Sequence, residues 1–464
     1  MKLCIKDGRI IDPINKFDGI GTIWIEDDVI VCVETEKFTS GDVPDWIASY
    51  VHAARKRLSS DCSNKFKKKA AKAALVTDAF LGGYKMLDAK GKWVVPGFVD
   101  LHVHFREPGF EYKEDIKSGS RAAIKGGFTK VCCMPNTKPV TDCGEIVSYI
   151  KKKAWKIPGV DVFVVGAVTK GQEGKELADF EGMVKQGICA ISEDGKTVMD
   201  ADLMKEAMIK AKELGIPFFS HADDESFKGQ PMGEDVIVER DIALAKETGC
   251  KLHFCHVSTK GSVELIRKAK AERIDVTAEV APHHFTLDEN SVKLDSNKKM
   301  NPPLRSREDV VAIIEGLKDG TIDAIATDHA PHSKEEKKVE FEKAPNGVIG
   351  LETSFAMSYT VLVKSRILTP MELIEKMSTK PAKILGIEPM SIETGKPSDI
   401  VIVDVEEQYE IRSEDFVSKS VNSAFIGMNV YGKVLLNCYQ LSNENNDDSW
   451  EGVAALGWAG FFFW

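Results

Sequence analysis

Residues 94–105, Val-Val-Pro-Gly-Phe-Val-Asp-Leu-His-Val-His-Phe, form an apolar run rich in the β-favouring residues valine and phenylalanine, so they read as a buried strand. Seven runs of the same kind follow, at 128–134, 160–168, 188–191, 216–220, 251–256, 274–280 and 323–327. Helical patterns separate most of them, among them 112–125, 144–153, 199–214, 261–271 and 307–317. Alternation of strand and helix through eight strands implies a parallel sheet, and at that count a closed (β/α)8 TIM barrel.

Outward from the barrel both chain ends turn strand-rich, at 3–5, 19–25 and 29–33 and again at 399–404, 409–411 and 430–435. They are expected to form one small composite β-sandwich domain. The expected division is 1–35 and 87–96 for its N-terminal part and return, 36–86 for an inserted helical or flexible segment, and 97–386 for the barrel. Residues 387–437 then complete the β-domain and 438–464 form an atypical tail. Late helices are expected at 351–363 and 370–377.

Of 464 residues 43% are hydrophobic and 29% charged, which allows a large core. The net charge of −10 argues against nucleic acid as a partner, since phosphate binding needs a concentrated basic surface. Ten irregularly spaced cysteines read as buried thiols in a reducing cytoplasm. No apolar stretch reaches the ~20 residues that span a bilayer, and the N-terminus lacks a signal-peptide core.

Nine of the ten histidines fall between positions 102 and 332, on or just after predicted strands, where a barrel of this kind keeps its active site. His102 and His104 share a strand face by alternation. Asp194, His221, His256 and Asp328 each end a later strand. Taken singly, each reads better as a capping or hydrogen-bonded core group. Together, four imidazoles and two carboxylates suit two divalent metals, zinc first, with Asp194 as the bridge. His253 lies three residues before His256 and is expected to face away. His283 and His284 read as loop or supporting histidines, His52 as a solvated residue of the insertion, and Glu193 as a supporting group behind Asp194.

His102-Val103-His104-Phe105-Arg106-Glu107-Pro108-Gly109 resembles the first-strand motif of the dihydroorotases. So do Met134-Pro135-Asn136-Thr137, Asn301-Pro302-Pro303-Leu304-Arg305 and Ala326-Thr327-Asp328-His329-Ala330-Pro331-His332. The likeness is co-linear over about 1–35 and 87–437. It is strongest to the bacterial type with an aspartate bridge in an Asp-Asp-Gly turn, here Glu193-Asp194-Gly195.

The resemblance implies reversible zinc-dependent cyclisation of N-carbamoyl-L-aspartate to L-dihydroorotate, a step of pyrimidine synthesis, in a cytoplasmic enzyme. It implies His102, His104, Asp194 and Asp328 on one zinc, and Asp194, His221 and His256 on the other. Asp328 would also be the catalytic proton carrier. Arg106, Asn136 and His332 would grip the substrate carboxylate, while Asn301 and the Asn346-Gly347 backbone line the ring. A homodimer is implied, and association with an aspartate transcarbamoylase is a further expectation.

The chain departs from the family in the insertion, about 40 residues of extra loop of a kind thermodynamics tolerates well. Other departures are Asn346, a short interval from His221 to His256, and a tail unlike the family's closing strand. Two rivals are a hydantoinase- or allantoinase-like enzyme, which would place a carboxylated lysine where 188–195 has none, and an inactive scaffold, which would have lost ligands kept here.

Overall fold

The structure, a computed structural model, describes residues 2–35, 39–40, 84–227 and 229–439. Most of the insertion, His52 with it, and the tail beyond 439 lie outside these residues.

Eight parallel strands form the barrel: β7 (Phe98–Val103), β8 (Phe128–Cys133), β9 (Asp161–Ala167), β10 (Ala190–Ser192), β11 (Phe218–Ser220), β12 (Leu252–Phe254), β13 (Val276–Val280) and β14 (Ala324–Ile325). Each pairs with the next in chain order, as βαβ crossovers require. A parallel bridge from Val103 to His329, with the His104 amide donating to the His329 carbonyl at 2.8 Å, joins first strand to last. All eight strands lie where the apolar runs place them.

Alternation sorts the side chains. Val99, Leu101, Cys132, Val165, Ala190 and Phe219 pack as one cluster. Their neighbours Val131, Val164, Ile191, Phe218 and Phe254 pack in a larger one with Ile150, Ala207 and Ile266 from the helices. Burying each such phenylalanine contributes about 1.5–3 kcal/mol.

The helix Arg307–Asp319 shows why the local signals work. Ser306 accepts from the Asp309 amide and Asp309 reaches back to Ser306, so both ends of a capping box are made. Gly320, at φ 85°, ends it in the left-handed conformation. One long helix, Pro231–Thr248, is absent from the sequence-based expectation. Its buried positions include Gly233, Glu234 and Asp241 beside Ile237 and Val238, so no clean apolar stripe marks it.

The second sheet runs β16 (Asn429–Asn437), β15 (Ile400–Glu410), β6 (Trp93–Pro96), β1 (Lys2–Asp12), β2 (Phe17–Glu26), β3 (Val29–Thr35) and β4 (Thr39–Ser40), with β5 (Lys85–Asp88) also beside β1. Strand β6 is parallel to β1 and antiparallel to β15, so both chain ends share one sheet. The runs expected at 399–404 and 409–411 are one strand whose register shifts between Asp404 and Gln408. Among the described residues no helix is long and apolar enough to cross a membrane.

Candidate active site

Asp194 occupies the centre of the site. Ala190, Ser192 and Asp194 alternate along and just past β10, which turns this carboxylate toward the axis. Four imidazole nitrogens reach it: His102 Nε2 at 3.1 Å, His221 Nδ1 at 3.4 Å, and His104 Nε2 and His256 Nε2 at 3.5 Å each. Burial alone would raise its pKa. The surrounding imidazoles, His102 foremost, override burial and hold it well below the usual carboxylate range. Asp328 Oδ1 lies 3.3 Å from His104 Nε2 and 3.6 Å from His102 Nε2. It too is held low, with burial outweighed by the neighbouring imidazoles, His104 foremost. The structure thus brings all six ligand candidates into one buried cluster.

Two backbone departures make this possible. Register shifts in β7 between Asp100 and Val103, and the bulge lets Leu101 join the interior cluster while His102 next to it still reaches Asp194. Arg106, His256 and Asp328 hold φ of 62°, 34° and 48°, a region unfavourable to residues other than glycine. Strain of this kind persists where function requires a particular aim. At His256 it also breaks the expected alternation: His253 binds Thr277 Oγ1 at 2.9 Å and Glu279 at 3.1 Å instead of turning away from the site.

His102 Nε2, Asp194 Oδ1 and His256 Nδ1 are buried without a hydrogen-bond partner among the described residues. Donor atoms of His102–His104–Asp328 and of His102–Asp194–His256 converge as metal ligands do. Imidazole and carboxylate oxygen suit zinc. A third converging set, His102–Cys255–Glu279, is a poorer fit, because burial pushes the Cys255 thiol well up from its ordinary pKa.

Glu279 and Asp100 are functional candidates that the sequence reading missed. Glu279 takes a bond from His102 Nδ1 at 3.0 Å and another from His253 at 3.1 Å, which fixes the His102 proton on the nitrogen away from Asp194. Burial raises its pKa, the two histidine bonds lower it more, and the result is about 2. Asp100 accepts from the His102 and Thr327 amides at 3.1 and 3.0 Å, so it fastens β7 to β14 beside two ligands. The usable signal was a lone carboxylate inside each of two apolar strands.

The remaining candidates divide. Asn136 turns both polar ends to the cluster, Oδ1 2.8 Å from His104 Nδ1 and Nδ2 3.4 Å from Asp194. Asn301 Nδ2 lies 3.3 Å from His221 Nε2 and 3.4 Å from Asp223. Arg106 Nε donates to the Pro331 carbonyl at 3.2 Å, while Glu107 pairs with Lys153 and Asp115 with Lys419. Arg106 is therefore not spent on either neighbouring acid. His332 Nε2 is 2.7 Å from the Asn346 carbonyl and its Nδ1 is 3.2 Å from Lys113 Nζ. Burial, then Arg106 and Lys113, push its pKa down to about 3. The Gly347 amide donates to Lys299 O at 2.9 Å and its carbonyl accepts from Asn422 at 3.0 Å. His283 and His284 lie buried in a short helix, Pro282–Thr286, rather than a loop. Glu193 caps the end of β9 through the Val168 and Thr169 amides. Lys196, just past the bridge candidate, sends Nζ to the Gln172 carbonyl at 2.7 Å instead of into the cluster.

Residues 93–436 match the amidohydrolase family. A dihydroorotase of Clostridioides difficile is 50% identical over 369 residues, 75% of this chain and 87% of its own. One from Trichlorobacter lovleyi is 42% identical over 451 residues, 93% and 96% of the two chains. In fold, the chain is similar to an L-hydantoinase from Arthrobacter aurescens, with a TM-score of 0.77, 24% identity and 95% of each chain covered.

Proposed function

The chain belongs to the amidohydrolase family, on its dihydroorotase branch, and from that premise we propose that it interconverts L-dihydroorotate and N-carbamoyl-L-aspartate. The observation that carries the proposal is one aspartate, Asp194, within 3.1–3.5 Å of four imidazoles. Lys196 is turned away, which disfavours the carboxylated-lysine chemistry of the rival reading.

Two zinc ions are the proposed cofactor, with His102, His104, Asp194 and Asp328 holding one and Asp194, His221 and His256 the other. When bound, such ions polarise a ring amide carbonyl and make water acidic enough to attack near neutral pH. Asp328 takes the proton of the attacking water as the C–O bond forms. It delivers that proton to the ring nitrogen as the C–N bond breaks. In the cyclising direction it removes the proton from the carbamoyl nitrogen first. Arg106 offers a planar fork that matches a substrate carboxylate at two points, which lysine would do less well. Asn136 holds His104 in the orientation that turns Nε2 to the ligands. Asn301 and the Asn346-Gly347 segment border the ring.

The same reading takes 97–386 as the catalytic barrel, with 1–35, 87–96 and 387–437 as one β-unit. It takes the protein as a cytoplasmic homodimer able to associate with an aspartate transcarbamoylase. Metal analysis combined with dihydroorotate turnover tests the core of it. Metal-dependent turnover is expected; a purified protein that carries metal yet ignores dihydroorotate would refute the assignment.

A further inference from the structure

Lys113 lies nine residues beyond His104 and belongs to none of the roles above. Its side chain is 13% exposed, with Nζ 3.2 Å from His332 Nδ1 and 3.0 Å from Glu336 Oε1. An ammonium has three donors and no acceptor, so Nδ1 must face it as a bare lone pair. The ring proton then sits on Nε2, which donates to the Asn346 carbonyl at 2.7 Å. Glu336 Oε2 lies only 3.6 Å from the same Nδ1. With Lys113 removed, that carboxylate would draw the proton to Nδ1 and leave Nε2 without one.

We propose that Lys113 is a positioning residue that selects the His332 tautomer, keeping an Nε2–H donor ready for the substrate carboxylate. The inference rests on the carboxylate-bearing substrate proposed above. On binding, Nε2–H exchanges the Asn346 carbonyl for a carboxylate oxygen, a stronger acceptor because it is charged. In the other tautomer a lone pair faces an anion, and the contact becomes repulsive. Arg106, Lys113, Lys337 and Glu336 are the charged groups that act on this ring. Glu336 is the one among them that favours the wrong tautomer.

The test uses the metal-loaded enzyme. Lys113→Met is expected to raise KM for dihydroorotate about tenfold or more, the scale of losing a bond to a charged group. kcat and metal content should change far less. Glu336→Gln in the same chain removes the competing anion and supplies an amide donor to Nδ1, so the double variant should recover most of the KM. Nitrogen-15 spectra of histidine-labelled protein, with His332 identified by its loss in His332→Gln, should show the proton on Nε2 in the native enzyme and on Nδ1 in Lys113→Met.

An unchanged KM, a double variant as impaired as the single, or a native His332 protonated on Nδ1 would each overturn the proposal. The spectra read the tautomer without turnover. An enzyme inactive on dihydroorotate that still shows the Lys113-dependent shift would therefore sink the substrate reading and leave the tautomer control standing.

Discussion

The ligand cluster and the corner around His332 face the same mouth but are held in place by different means. His102, Asp194 and His221 sit on or immediately after β7, β10 and β11, so sheet hydrogen bonds fix their backbone, and Glu279, Asn136 and Asn301 orient the rings. His332, Asn346 and Gly347 ride on the long connection after β14, which long side chains tie down. Lys337, 5% exposed, donates to the carbonyls of Ser296, Lys299 and Pro345 at 2.8, 3.2 and 2.9 Å. Asn422 holds Gly347 from further along the chain. A ligand built on a strand is therefore sensitive to its own replacement. A group built on a loop is sensitive to changes several residues away.

That contrast can be broken at several points. Asp328→Asn should retain metal and lower kcat by about 10²–10⁴, the usual share of general acid–base catalysis; single-turnover rates beside metal analysis check it, and a near-native rate would remove Asp328 from proton transfer. Asp194→Ala should lose metal outright, and unchanged zinc by atomic emission would show that the cluster does not depend on its central acid. Glu279→Gln should weaken metal affinity by about 10- to 100-fold while KM stays close to native, as read by chelator competition.

Lys337→Met should do the reverse and raise KM several-fold with metal affinity intact. If it loosened the metal instead, the two regions would be one mechanical unit. The smallest effect concerns pH. Burial, then the charge of Lys299, brings the Lys337 pKa down to about 8 from 10.5. The folded protein therefore binds fewer protons than the unfolded chain between those values. Stability from this residue is complete above about 10.5 and is lost as pH falls through about 8. Thermal melts should show a rise across that window that is flatter in Lys337→Met.

The same division explains what the sequence disclosed. Strand-borne ligands could be read because period-two alternation and the strand ends locate them; Ala190, Ser192 and Asp194 follow the rule without exception. His102 and His256 reach the cluster through a bulge and a left-handed backbone, neither of which alternation foresees, and His253 was misjudged for that reason. Glu279 and Asp100 escaped notice because a carboxylate inside an apolar strand declares its partner only once the barrel closes. Lys113 and Lys337 act through loops, where no periodicity relates a residue to the carbonyl or imidazole it meets. The helix Pro231–Thr248 lay hidden because Glu234 and Asp241 face inward, Glu234 onto Ser258, Thr259 and Arg305 and Asp241 onto Ser220 and Arg240.

Strand β6 carries a consequence for biosynthesis. One of its edges is met by β1 early in translation; the other is met by residues 400–403, made only after every barrel strand has been polymerised. Until then Trp93–Pro96 presents an uncovered ladder of amides and carbonyls next to valines, the kind of surface that recruits strands from other chains. A nascent polypeptide stalled before residue 400 should consequently aggregate or be degraded even with its barrel complete, because residues 400–403, made late, seal the edge of a strand made early.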